Sequence, residues 1–177
     1  IGKTDKNKDV FDVLLFSPRN IKQVKLPSFI KQIGPFSFNY SLNIQSIDLS
    51  EIHELLSIDD NAFSFSSIEN ISIPSSVQHI SEKAFYFCKN LKNVEFMNDS
   101  KLVSIGNDAF NSSGIIKIKF PTNLSQIGDG AFSSNKNLIN IEFLKDLNLN
   151  TLSNNLFCET SIVKIIIPLS TKTIGYG

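Results

Sequence analysis

Pro27, Pro74, Pro121 and Pro168 stand 47 residues apart each time, and each follows a triplet whose first and last residues are apolar. The triplets are Val24-Lys25-Leu26, Ile71-Ser72-Ile73, Ile118-Lys119-Phe120 and Ile165-Ile166-Ile167. Self-similarity at a fixed period is the mark of a solenoid, in which each unit packs only against its neighbours. A second copy of the unit lies between successive prolines. Unit starts fall at Ile21, Ile44, Ile68, Leu91, Ile115, Leu138 and Ile162, at spacings that alternate between 23 and 24 residues.

Each unit opens with apolar residues at its first, fourth and sixth positions, as in Leu91/Val94/Phe96 and Leu138/Ile141/Phe143. The last two alternate with polar residues, the period-two pattern of a short half-buried strand. The second half of a unit carries an apolar pair three apart, then a small or medium residue and Phe, as in Val77/Ile80/Ala84/Phe85. Units with Pro need a shorter corner after the strand than units without it, because Pro ends a strand and fixes φ. The alternation of 23 and 24 therefore suggests that coils come in pairs. Gly34, Gly106, Gly128 and Gly175 follow the second residue of the apolar pair, where a corner can call for positive φ; Asp59, Ser81 and Ser153 take that place in other units, so the requirement is not strict.

In a parallel stack, strands about 4.8 Å apart turn equivalent residues into ladders, and seven strands make a sheet roughly 30 Å long. Phe38, Phe63, Phe85, Phe110, Phe132 and Phe157 should then form one spine away from the sheet. Two ladders should point outward: Gln23, Ser46, Asn70, Asn93, Lys117, Asn140 and Lys164, and Lys25, Asp48, Ser72, Glu95, Lys119, Glu142 and Ile166. Charges of opposite sign alternate along the second. Such a face is either merely solvated or reads a partner of mixed charge, and no aromatic anchor sits on it.

The 17 Lys and Arg balance the 17 Asp and Glu, which gives no electrostatic case for nucleic acid or an anionic membrane. No apolar run approaches a membrane span, so direct membrane insertion is not expected. Cys88 and Cys158 are three units apart, roughly 14 Å, too far for a disulfide. His53 and His79 lack a third ligand at metal spacing, and Asp59, Asp60, Asp108 and Asp129 read as turn residues. With no phosphate loop, nucleophile elbow or metalloprotease motif, neither enzymatic activity nor a metal or cofactor is expected. Five Asn-x-Ser sequons occur, at Asn39, Asn70, Asn98, Asn111 and Asn123; roughly three would arise by chance at this Asn and Ser content, so the excess hardly argues for a secreted, glycosylated protein. Of these, Asn39, Asn98, Asn111 and Asn123 lie off the sheet face and are the candidate glycosylation sites.

Residues 1–177 read as a single array, with a degenerate half-repeat over 10–20 and a truncated last repeat. Ile1-Gly2 resembles a repeat corner, Lys3 to Asp9 reads as a charged insertion, and both ends are expected to be cut from a longer array.

The segments Asn90-Leu91-Lys92-Asn93-Val94-Glu95-Phe96 and Val103-Ser104-Ile105-Gly106-Asn107-Asp108-Ala109-Phe110 closely resemble the BspA-like leucine-rich repeat. Ile68 to Cys88 adds the strand-closing Pro74 and the small residue after Phe. The match covers Ile21 to Gly175 and weakens back to about Val10. The resemblance implies a right-handed α/β-type, mostly β, leucine-rich-repeat solenoid. One face would be a parallel sheet, and the opposite face irregular, short-helical or short-strand. It further implies a cell-surface or secreted protein that binds a protein partner, such as a host surface or matrix protein, in adhesion. A structural spacer is the alternative. The candidate partner-binding face is Lys25, Asp48, Asn70, Ser72, Asn93, Glu95, Lys117, Lys119, Asn140, Glu142 and Lys164. The oligomeric state is left open.

Overall fold

The computed structural model describes residues 1–4, 12–144 and 146–177. Most of the expected charged insertion therefore lies outside the described residues, as does the start of the degenerate half-repeat. The remainder is a parallel β-solenoid of about seven turns, built entirely from short strands and turns. In chain order these are β1 (Val13–Leu14), β2 (Gln23–Lys25), β3 (Gln32–Ile33), β4 (Ser46–Asp48), β5 (Ser57–Ile58), β6 (Asn70–Ile73) and β7 (His79–Ile80). They continue as β8 (Asn93–Phe96), β9 (Ser104–Ile105), β10 (Lys117–Phe120), β11 (Gln126–Ile127), β12 (Asn140–Phe143), β13 (Thr151–Leu152) and β14 (Thr173–Ile174).

Even-numbered strands β2 to β12 form one six-stranded parallel sheet, and odd-numbered strands β1 to β11 form a second; β13 and β14 pair separately. The register is the one the repeat dictates: Val24 lies against Ile47, Ile71 against Val94, and Ile118 against Ile141. Between the sheets, inward residues of every coil merge into a single core. The expected phenylalanine spine is its centre. Neighbouring rings lie 4.8, 5.0, 4.9, 5.1 and 6.0 Å apart from Phe38 to Phe157, and the first three pairs are within 4° of parallel.

The second sheet leads into a stack of tight turns that carries the spine. No helix forms among the described residues, so the short-helical alternative for this side gives way to two-residue strands and turns. The reason is backbone conformation. The residues two before and two after each spine phenylalanine have φ between +51° and +62°, and alternate left-handed residues prevent helical continuation. Around Phe38, Ser37 N–H donates to Gly34 O at 3.3 Å and Ser41 N–H to Phe38 O at 3.1 Å. With φ of +57° at Phe36 and +55° at Tyr40, these are consecutive type II turns. Phe38 N–H then donates to Ala62 O of the next coil at 2.7 Å, and Phe63 and Phe85 repeat that bond.

Asn61, Asp108, Gly130 and Asn155 are the residues a left-handed site favours. Phe36, Tyr40, Phe65 and Phe87 are not; such a residue costs about 1–2 kcal/mol there.

The corner glycines correct the sequence reading. Gly34, Gly106, Gly128 and Gly175 do not have positive φ. Close approach selects them instead: a Cβ at Gly106 would meet Glu82 N at 2.6 Å, and one at Gly34 would meet Leu14 O at 2.6 Å. Asp59, Ser81 and Ser153 occupy the same corner in other coils.

Two further expectations are corrected at the ends. Ile1-Gly2 is not the corner of a coil; Gly2 exchanges both backbone hydrogen bonds with Val13 in an antiparallel bridge. That bridge covers the outer edge of β1 and blunts it. The seventh triplet, Ile162 to Ile167, is not a strand, and the long sheet has six strands rather than seven. Ile162 and Ile165 still pack on the core, while Val163 and Ile166 are exposed.

Candidate functional site

The long sheet does not zip evenly. β6 and β8 pair along four residues, Asn70–Ile73 against Asn93–Phe96, and β10 and β12 pair along four more. Between β4 and β6 only Ser46 and Asn70 are paired, and between β8 and β10 only Asn93 and Lys117. The strands start together and then part. Proline marks each such joint. Where β8 leaves β6, Met97 N–H donates to Ile73 O at 3.1 Å. The residues in that place after β6 and β10 are Pro74 and Pro121, which have no N–H to donate. Pro168 does the same after the seventh triplet, which stays out of the sheet. Coils therefore come in pairs, as the alternating period suggested.

The seam between β8 and β10 opens into a groove of about 700 Å³ on the outward face of the long sheet. Asn93, Glu95, Lys117, Lys119, Asn140 and Glu142 line its floor, and the corners Met97–Ser100 and Pro121–Thr122 form one wall. Every floor position belongs to the two ladders derived from the sequence. The walls were not found there, because corner residues have no period; the only signal for them was the missing proline after Phe96.

Most of the candidate residues are brought together as expected. Lys25 lies 4.0 Å from Asp48, and Lys119 Nζ donates to Glu142 at 2.8 Å. Ser72 Oγ donates to Glu95 at 3.2 Å, and Asn93 Nδ2 to Asn70 Oδ1 at 2.7 Å. Lys117 stands between Asn93 and Asn140 in register. Lys164 is exposed in the seventh triplet, which is not paired into the sheet. Asp48 is held below the ordinary carboxylate value by hydrogen bonds from the Ser50 hydroxyl and backbone N–H, with Lys25 adding a smaller pull.

The sequons differ in what their amides do. Asn98 is exposed on the groove wall. Asn123 donates to Ser100 O at 2.7 Å and Asn111 to Asp108 at 2.8 Å, while Asn39 is half-buried in the turn stack. Cys88 is buried against Phe63 O at 3.0 Å, and burial pushes its thiol up to about 12. It packs as a small core residue. The corner aspartates face the next coil: Asp60 accepts from Glu82 N–H and Asp129 from Asn154 N–H. His79 shares a hydrogen bond with Ser104 at 2.9 Å. Among the described residues, no helix is long and apolar enough to cross a membrane.

The chain matches the sequence model of the BspA type leucine rich repeat region over residues 15–63 and 56–177. No curated protein matches it. Solved structures share its fold. The pneumococcal vaccine antigen PcpA is 24% identical with a TM-score of 0.63, over 89% of this chain and 37% of that one. The leucine rich repeat protein of T. pallidum is 21% identical with a TM-score of 0.70, over 87% of this chain and 69% of that one. A leucine rich cell surface protein from Faecalibacterium prausnitzii A2-165 is 20% identical with a TM-score of 0.52, over 88% and 44%. At these identities the likeness is one of fold. The chain spans less than half the length of the first and third of these proteins.

Proposed function

The chain belongs to the BspA-type leucine-rich repeat family, and from that premise we propose that it is the protein-binding module of a cell-surface or secreted protein. The partner occupies the groove over β8, β10 and β12, and the activity served is adhesion to host cells or extracellular matrix. The observation that carries this reading is the seam. A continuous sheet offers a flat face, whereas the joint between β8 and β10 leaves a concave one floored by Glu95, Lys119 and Glu142. Mixed charge in a concavity gives a partner register and orientation. The pneumococcal relative is a vaccine antigen and the F. prausnitzii relative a cell surface protein, which supports the location. A glycan at Asn98 would stand in the groove wall, so glycosylation there and binding exclude one another.

The combined variant Glu95→Lys/Lys119→Glu/Glu142→Lys tests the proposal. It keeps alternation of sign along the ladder, so folding is retained while the pattern a partner reads is inverted. Attachment of host cells or matrix protein to the immobilised chain should be lost. Unchanged attachment by a folded variant overturns the reading. A second reading, a spacer that carries another domain, is favoured by one observation: the sheet's charges are already partnered with one another. Under that reading the same variant changes nothing.

A further inference from the structure

The turn stack carries an aromatic row that neither sheet explains. Two residues after the spine phenylalanine, successive coils place Tyr40, Phe65 and Phe87, then Ser112, Ser134 and Glu159, all with φ between +55° and +58°. One backbone site thus holds aromatics in the first three coils and polar residues in the next three. Tyr40 stacks on Phe65 at 4.7 Å and 4°, and Phe65 meets Phe87 at 5.1 Å and 41°. Tyr86 packs edge-on to Phe65 at 5.5 Å. The row is not core: Tyr40 is 55% exposed, Leu42 beside it 64%, and Phe65, Tyr86 and Phe87 are half-buried. The later coils show that serine holds the same turn. Bulky residues in left-handed backbone at a surface therefore strain the fold without being needed by it, and strain of this kind collects at functional sites.

A cation stands at each end of the row. Lys89 Nζ lies 4.3 Å from the centre of the Phe87 ring. Arg19 reaches Ser41 Oγ, beside Tyr40, at 3.5 Å. Among the described residues neither has a carboxylate partner. Phe65 spends its faces on Tyr40 and Phe87, and Phe87 meets Lys89, while Tyr40 stacks on one side only. A sugar, which stacks on a free face, has only the end of the row; the rest offers ring edges, which carry partial positive charge. We propose that this row is a second docking surface, for a short apolar segment of a partner protein that bears carboxylates at its two ends. The occupant follows from charge: positive ring edges between two cations that have no carboxylate partner among the described residues, Arg19 lying 5.4 Å from the Phe16 ring centre, suit carbonyl and carboxylate oxygens around apolar side chains. Three steps of about 4.8 Å set the cations roughly 15 Å apart along the axis, the length of about five extended residues. The surface is separate from the groove of the long sheet, so the two can fail independently.

The test pans random peptides displayed on phage against the whole chain, with Tyr40→Ser/Phe65→Ser/Phe87→Ser as the comparison. Serine is chosen because Ser112 and Ser134 already occupy this turn. Recovered peptides should pair apolar residues with Asp or Glu and bind the unaltered chain at least about tenfold tighter than the triple variant, as for central aromatic anchors. Added salt should weaken them, and the sheet variant Glu95→Lys/Lys119→Glu/Glu142→Lys should bind them unchanged. If the triple variant loses its fold, Tyr40→Ser takes its place, with a several-fold loss expected. Peptides that bind the serine variant equally, or that are basic, overturn the proposal. So does a glycan array on which binding depends on the three rings, or a dimer that the triple variant dissolves.

Discussion

Removing one ring from the middle of the phenylalanine spine tests the stacking of coils directly. Phe110 is fully buried and sits 4.9 Å from Phe85 and 5.1 Å from Phe132, nearly parallel to both. Burial of a phenylalanine side chain stabilises by about 1.5–3 kcal/mol. The rigid stack on either side cannot close over the gap, so a cavity term raises the cost of Phe110→Ala to about 3–5 kcal/mol. Within that figure, the two lost ring contacts account for about 0.5–1.5 kcal/mol each. Phe157 ends the spine, is half-buried, and lies 6.0 Å from Phe132 at 32°; its truncation should cost roughly half as much. Lys119→Ala removes an exposed ion pair and should cost under about 1 kcal/mol.

Urea unfolding followed by far-UV circular dichroism reads all three, and the absence of Trp leaves only tyrosine for fluorescence. At a slope near 2 kcal/mol per molar, Phe110→Ala should lower the midpoint by roughly 2 M. Since each coil contacts only its neighbours, the central gap should also broaden the transition as the two halves uncouple. Equal midpoints for Phe110→Ala and Lys119→Ala would refute the reasoning, as would a larger effect at Phe157.

Three other outcomes follow from single sites. Asn135 is fully buried, donates to Phe110 O at 2.7 Å and Phe132 O at 2.9 Å, and accepts from Ser113 Oγ at 2.6 Å; Asn135→Ala should cost about 2–3 kcal/mol in the same urea assay, and a loss near zero would mean that the network stabilises nothing. Asp59 is raised above 3.8 by burial, so its charge costs stability once pH exceeds that value; Asp59→Asn should raise the midpoint at pH 7, with the gain vanishing below 3.8, and a gain that grows on acidification contradicts this. Pro121→Ala restores an N–H at the place in the repeat from which Met97 bonds Ile73 O, where Phe96 O would be the acceptor. The new bond and the added freedom of the unfolded chain offset within about 1 kcal/mol, so the readout is hydrogen exchange: residue 121 should become protected, and exchange as fast as at Asn98 would remove proline as the cause of the seam.

Wherever the side-chain period governs packing, the structure was legible in advance. The spine, both outward ladders and the pairing of coils all follow from which residues recur at 23 and 24. What escaped was set by backbone and by boundaries. The corner glycines signalled close approach and not φ, a distinction that composition does not carry; both demands select the same residue. The left-handed positions were hidden because the chain fills them with Phe, Tyr, Lys and Glu as well as Asn, Asp and Gly. The recurrence of Tyr40, Phe65 and Phe87 was a visible second aromatic column, two residues beyond the first. The seventh triplet fits the repeat and still stays out of the sheet, and Pro168 after it removes one of the bonds that would hold it there.

The proline that marks the repeat is thus also what interrupts it. A parallel stack with every donor present would close into an uninterrupted sheet, stable and featureless on its outward face. Placing proline in alternate coils keeps each pair tight, as β6 with β8 and β10 with β12, and loosens the joint between pairs. The loosened joint forgoes three of the four register pairs that β6–β8 and β10–β12 make, and Pro121 accounts for one of the missing donors. The shorter corner and restricted unfolded chain offset part of that loss. The concavity between β8 and β10 lies at the joint where Phe120 is followed by proline, and the charges on its floor stand where the ladder already put them.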